Sequence, residues 1–145
     1  MNVSNPAGFG VRFFALILDG ILVSLVTGLI SLAIYNEFFM ESYSPLDWLV
    51  LIYHIILPVL WYGYTIGKRL LGIRIVKVNG ENVGIGNMLM RHLVAGLVYA
   101  LTLGIGVIVS VFMVAIREDK RAIHDFVAGT YVTYDSPDKL EEGVV

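Results

Sequence analysis

The chain has 145 residues, 57% apolar and 15% charged, with a formal net charge of −2 and no cysteine. A soluble domain carries about 25% charged residues, so this balance points to a single membrane domain. It excludes disulfide frameworks, thiolate chemistry and cysteine-held metals, and the lack of a dense basic stripe excludes a nucleic-acid partner.

Taken in order, Ser4, Asn5 and Pro6 read as a helix start. They precede a first apolar block from Val11 to Tyr35. About 20 residues at ~1.5 Å each cover the ~30 Å apolar core of a bilayer, so this block is long enough to span. Its length and Asp19 favour a retained anchor over a cleaved signal, although Ser31-Leu32-Ala33 faintly mimics a cleavage site. Asp19 is the only charged residue between Phe13 and Tyr35. A carboxylate at that depth costs roughly 2.5 kcal/mol or more and needs a partner. Arg12 lies two helical turns earlier on nearly the same face, which predicts an Arg12–Asp19 pair. Such a pair serves either proton or cation handling, or simply helix register. Gly20, Ser24 and Gly28 form a small-residue stripe for helix packing.

The loop that follows carries Glu37, Glu41 and Asp47 without Lys or Arg. Ser44-Pro45-Leu46-Asp47 then starts a second block running to Tyr64. Within it, Pro58 predicts a kink. His54 lies at a depth similar to that of Asp19, so it is expected either to meet that carboxylate as a proton relay or to bond to a neighbouring helix. Gly63 to Arg69 superficially resembles a phosphate loop. It is one residue short, and Arg69 replaces the magnesium-binding hydroxyl, so nucleotide binding is rejected.

The loop from Thr65 to His92 holds Lys68, Arg69, Arg74, Lys77 and Arg91. By the positive-inside rule it is cytoplasmic together with the N-terminus. Tyr35, Phe38, Phe39, Tyr43 and Trp48 would then lie at the outer interface, and Trp61, Tyr62 and Tyr64 at the inner one. Residues 73–78, Asn79-Gly80 and 81–83 predict a hairpin with a type I′ turn. Residues 130–134 also read as a strand, giving a three-stranded sheet if the tail returns to the same side.

That return depends on the third block, Leu93 to Ile116, which crosses once or folds back at Leu103-Gly104-Ile105-Gly106. A hairpin whose first arm starts near Gly86 is favoured, with arms of about 21–24 Å that require tilt or thinning. Past it, Asp119, Lys120, Arg121, His124 and Asp125 are concentrated in a few residues, and the apolar neighbours of Asp125 predict its partial burial. His54, His92 and His124 have no zinc-site spacing. No nucleophile–base arrangement is visible, so neither enzyme activity nor a cofactor is expected.

These motifs together resemble the RDD family of prokaryotic membrane proteins, named for one arginine and two aspartates. The resemblance rests on Gly8-Phe9-Gly10-Val11-Arg12 through Asp19, then Thr65-Ile66-Gly67-Lys68-Arg69-Leu70-Leu71-Gly72-Ile73-Arg74-Ile75-Val76. It continues through Arg91, Arg121-Ala122-Ile123-His124-Asp125 and Ala128-Gly129-Thr130, and covers residues 7–134. It implies Arg12, Asp19 and Asp125 as the three eponymous residues, with Asp119 the alternative for the last. It also implies a transport role, with cation/proton exchange for some members.

The expected fold is an all-α membrane protein. A small helical bundle of two full spans plus a hinged third and fourth helical pair carries a small cytoplasmic β-hairpin or three-stranded sheet. Residues 1–145 form one membrane domain, ending in a polar tail over 135–145. Two functions fit. In the first, a homo-oligomer exchanges a monovalent cation for a proton across the cell membrane. Asp19 is then the exchangeable carboxylate beside Arg12, His54 a relay, and Asp125 a gate or a partner for Arg91. In the second, the protein is a non-transporting scaffold whose charges are structural.

Overall fold

A computed structural model describes residues 3–40 and 42–142. Glu41 of the acidic loop and residues 143–145 of the polar tail lie outside the described residues.

The first helix, α1, spans Phe9–Tyr35. At ~1.5 Å per residue its 27 residues reach about 40 Å, and it alone among the described helices is long and apolar enough to cross a membrane. It stops where Asn36 takes a left-handed φ of 62° and donates its N–H to Leu32, a conformation that asparagine tolerates. Ser31 ties the following turn back by donating to the Glu37 carbonyl.

Helix α2, Pro45–Leu60, begins as its sequence indicates. Ser44 Oγ accepts from the Leu46 N–H, and Asp47 accepts from the Ser44 N–H. Pro58 stays inside the helix. The helix stops short of the expected Tyr64, because Tyr62 and Gly63 both adopt positive φ and turn the chain back. Its 16 residues give about 24 Å, less than a full span. Tyr64, expected at the membrane interface, is buried instead. A Cβ on Gly63 would lie 1.9 Å from the Ile75 carbonyl oxygen, so glycine is required at this crossing.

Thr65 caps a short helix α3, Ile66–Leu70, which leads into strand β1, Arg74–Lys77. Helices α4 (Ile85–Leu101) and α5 (Ile105–Ile116) form the anticipated helical hairpin. Leu103 and Gly104 supply its left-handed corner, with the Gly104 N–H donating to Tyr99 O. Helix α6 (Ile123–Ala128), strand β2 (Thr130–Thr133) and helix α7 (Pro137–Glu142) complete the chain.

Strand β2 pairs antiparallel with β1, Arg74 opposite Thr133 and Lys77 opposite Thr130. The tail therefore returns to the same side as the basic loop. The expected three-stranded sheet is replaced by these two strands with one isolated bridge on each edge, Val76–Asn82 and Pro6–Thr133. Among the described residues Gly80 alone has positive φ in its turn, so the I′ turn is not formed. Asn79 instead accepts the Glu81 N–H with its side chain, leaving the return arm as a single bridge. At the other edge Pro6 lacks an N–H. Asn5 and Ala7 beside it bond to Tyr134 and Val132, so the segment expected to start α1 serves as sheet edge.

Ile75 and Val132 face a core with Ala15, Ile55, Val83 and Met88, where the sheet meets the ends of α1, α2 and α4. Away from this cap the helices present apolar surface: Phe14, Ile21, Leu101 and Ile105 are all more than half exposed. The tail is only partly polar surface, since Asp135 is buried with its carbonyl accepting from Arg74 Nε.

Candidate functional site

The Arg12–Asp19 pair predicted from helical spacing is not formed. Each residue has a different partner set, and the chain builds two separate carboxylate centres beneath the sheet.

Asp19 is almost fully buried and accepts from three donors. They are Tyr53 Oη at 2.7 Å, Thr65 Oγ1 at 2.5 Å and the Gly67 N–H at 2.8 Å. Lys68 Nζ stands 3.9 Å away. The start of α3 makes this possible. Thr65 caps it, and Gly67 lies so close to α1 that a Cβ there would come within 2.3 Å of the Ala15 carbonyl oxygen. Two further links hold the centre, because the Ile66 N–H donates to the Tyr53 hydroxyl and Lys68 Nζ reaches Thr65 Oγ1 at 3.4 Å. His54, one residue from Tyr53, is not in this set. Its Nδ1 lies 2.9 Å from the carbonyl oxygen of Val50, one turn back, because consecutive helical residues point about 100° apart.

Asp125 is the centre for Arg12. Its Oδ2 accepts from Arg12 Nη1 at 2.7 Å and from the Ala122 N–H at 3.0 Å, while Oδ1 accepts from Arg91 Nη1. It is fully buried, more deeply than its sequence context suggested. Arg12 is fixed further by donating Nε to Ala7 O and Nη2 to Lys120 O. Arg91 also donates to Thr130 Oγ1 at 2.6 Å. One carboxylate thus joins α1, α4 and α6 and, through Thr130, the sheet. Burial alone would raise the Asp125 pKa, but Arg91 and Arg12 override it and hold the group well below the usual carboxylate range. Asp119, the alternative for the second aspartate, pairs with Arg117 at 2.9 Å toward solvent. Asp125 is the buried one.

Between the two centres lies a cavity of about 350 Å³. Arg12, Lys68 and Arg91 line it together with His54, His92 and His124, against apolar walls from α1 and α5. Burial pushes the Lys68 ammonium down to about 8, against the pull of Asp19 and with Arg91 and Arg12 adding to the effect. His124 Nδ1 is 2.8 Å from the Tyr99 hydroxyl, and burial, aided by Arg91, pushes it down to about 4.

That shift has a sign. Between about 4 and the usual 6.5 the unfolded chain binds the His124 proton and the folded chain does not, so stability falls as pH is lowered through this window. The loss should approach about 3 kcal/mol at its lower end. Thermal melts across pH 4–7 measure it, and His124→Asn should flatten the dependence. An unchanged slope in the variant would assign the effect to another group.

Sequence reasoning paired Arg12 with Asp19 and offered Asp125 as a gate or a partner for Arg91. In the structure Asp125 accepts from both Arg91 and Arg12, and His54 joins neither carboxylate. Sequence reasoning also missed Tyr53, Thr65, Gly67 and Lys68 as partners of Asp19. The available signal was a threonine followed by glycine just after a span, which marks a helix cap and a close backbone approach.

The RDD family model matches residues 6–129. Two Bacillus subtilis (strain 168) proteins are similar along most of their length. The uncharacterized protein YckC is 48% identical over 141 residues, covering 97% of this chain and 93% of that protein. The uncharacterized protein YxaI is 30% identical over 156 residues, covering 91% and 99%. No solved structure matches.

Proposed function

Because the chain belongs to the RDD family, we propose that it is a multi-pass membrane protein that passes a small solute through the cavity between its two carboxylate centres. In this reading α1, α2 and the α4–α5 hairpin lie in the bilayer with their exposed apolar faces toward lipid. The sheet and the basic residues lie on the cytoplasmic side. The shorter helices of 16, 17 and 12 residues tilt or thin the bilayer around them.

The observation that carries a transport role is the cavity itself, bounded by charges that differ in how firmly they are held. Asp19 and Asp125 each have three hydrogen-bond donors and act as fixed anions. Arg12 is fixed with them. Lys68 has only long contacts, 3.4 Å to Thr65 and 3.9 Å to Asp19. It is the group best placed to exchange a proton, in the role expected of Asp19. Cation/proton exchange in its usual form needs a carboxylate open to the passing metal ion, and neither carboxylate lines this cavity.

The test is proton movement in reconstituted vesicles under imposed gradients of Na⁺, K⁺ or a small organic phosphate. Wild type should move protons with one of them, and Lys68→Gln should lose at least about a hundredfold of that rate, the lower end for a positioned proton-transfer group. Equal rates in both proteins reject Lys68 as the exchanging group. No movement under any gradient leaves the second reading, a scaffold, which the saturation of both carboxylates favours.

A further inference from the structure

We propose that the cavity binds an anionic amphiphile, a phosphate or carboxylate head on an alkyl chain, with the head against Lys68 and Arg91 and the chain leaving between α1 and α5. This rests on the membrane reading above and names the class of molecule the cavity takes.

The charge lining the cavity has one sign. Arg12, Lys68 and Arg91 reach its wall, whereas Asp19 and Asp125 stand behind them and do not. Three cations against two carboxylates leave one positive charge uncompensated in a largely apolar enclosure, where an unpaired charge is costly and an anion is drawn in. A metal cation would meet this wall with repulsion.

Donors remain available there. Among the described residues the Arg91 guanidinium bonds through Nη1 alone, to Asp125 and Thr130. Arg91 lines the cavity, and its Nε and Nη2 make no hydrogen bond among the described residues. Among the described residues Lys68 Nζ has no contact shorter than 3.4 Å, so its ammonium protons are available to a ligand. An oxyanion accepts from such a set at several oxygens, as phosphate and carboxylate do.

The remaining wall selects the rest of the molecule. Phe9, Phe13 and Leu16 follow one another at i, i+4 and i+7 on α1, and Val107, Val111 and Val114 do so on α5. Both stripes face the same space. Phe13, Leu16 and Val107 are also between 44% and 59% exposed at the outer surface, which places the mouth on the flank between these two helices. On the membrane reading that flank faces acyl chains. A free inorganic anion gains nothing from such a mouth, whereas an alkyl chain buries about 0.8 kcal/mol for each CH₂ it removes from water. The volume of about 350 Å³ is at the lower end of ligand cavities, enough for a head group and the first part of a chain.

The experiment uses the full chain purified in a neutral detergent, with dodecyl phosphate, dodecanol and inorganic phosphate as separate probes, read by native mass spectrometry and thermal shift. The expected result is one dodecyl phosphate retained per chain with a raised melting temperature, and neither effect from the other two. Lys68→Gln should weaken retention at least tenfold. Val111→Trp, which fills the mouth and leaves every charge in place, should abolish it. Equal retention of dodecanol, equal binding of inorganic phosphate, or undiminished retention by the Val111→Trp protein would each overturn the proposal. Failure here is distinguishable from failure of transport. Proton movement without dodecyl phosphate binding removes the amphiphile and keeps the transport reading, and binding without any movement does the reverse.

Discussion

Asp125→Asn is expected to destabilise the protein by about 3–5 kcal/mol, the cost of removing one member of a buried ion cluster. The side chain keeps its size but loses its charge, and Arg12 and Arg91 are left facing each other across an amide. The amide's NH₂ must also replace one of the oxygens that now accept from Arg12, Arg91 and Ala122. Chemical or thermal denaturation of the purified protein measures the loss. Asp119→Asn is the control. Its partner Arg117 is half exposed, so the change should stay within about 0.5 kcal/mol. Equal effects at the two aspartates would show that the buried cluster does not hold the fold. A third protein separates charge from shape. Replacing Arg12 and Arg91 by Met and Asp125 by Leu removes all three charges together, and should recover much of the stability because no uncompensated ion remains. It should not recover ligand binding.

Gly67→Ala should cost about 3 kcal/mol, the upper end for forcing extra volume into a packed site, although alanine is the better helix former. The added methyl would lie 2.3 Å from the Ala15 carbonyl oxygen and 2.8 Å from the Asp19 carboxyl carbon. Both neighbours belong to α1, and a helix backbone does not yield as a side-chain tip does. Helix α3 must therefore lift away, breaking the bonds from Gly67 and Thr65 to Asp19. Gly72→Ala offers the contrast, since a Cβ there meets open space and only its φ of +67° opposes the change. Stability measured for the two variants should differ by at least about 1 kcal/mol. A Gly67→Ala protein as stable as wild type would mean that α3 does not dock on α1 as described.

The parts of the fold that local chemistry decides were legible. Ser44, Pro45 and Asp47 announced α2, and Leu103-Gly104 announced the hairpin corner, because caps and left-handed turns depend on a few adjacent residues. The burial of Asp19 and Asp125 was legible from their apolar surroundings. Their partners were not. Helical spacing correctly put Arg12 and Asp19 on one stripe of α1, but a stripe two turns long offers its ends to different neighbours. Arg12 meets α6 and Asp19 meets α3, and neither helix is close in sequence. The turn at Asn79-Gly80 departed from expectation for a local reason. Asn79 does not take the positive φ that a type I′ turn needs and holds the Glu81 N–H with its side chain instead, so the edge of β1 opposite β2 keeps only the Val76–Asn82 bridge.

The carboxylate that neutralises Arg12 is 113 residues further along the chain, and it lies 34 residues beyond Arg91. While the protein is being made, both guanidinium groups are in place before their counterion, and strand β1, which ends at Lys77, waits for β2, which begins at Thr130. A chain that ends anywhere before residue 125 holds two unmatched cations in its helices and an open strand edge, the kind of surface that chaperones and proteases engage. Arrival of Asp125 and closure of the cap are thus one event.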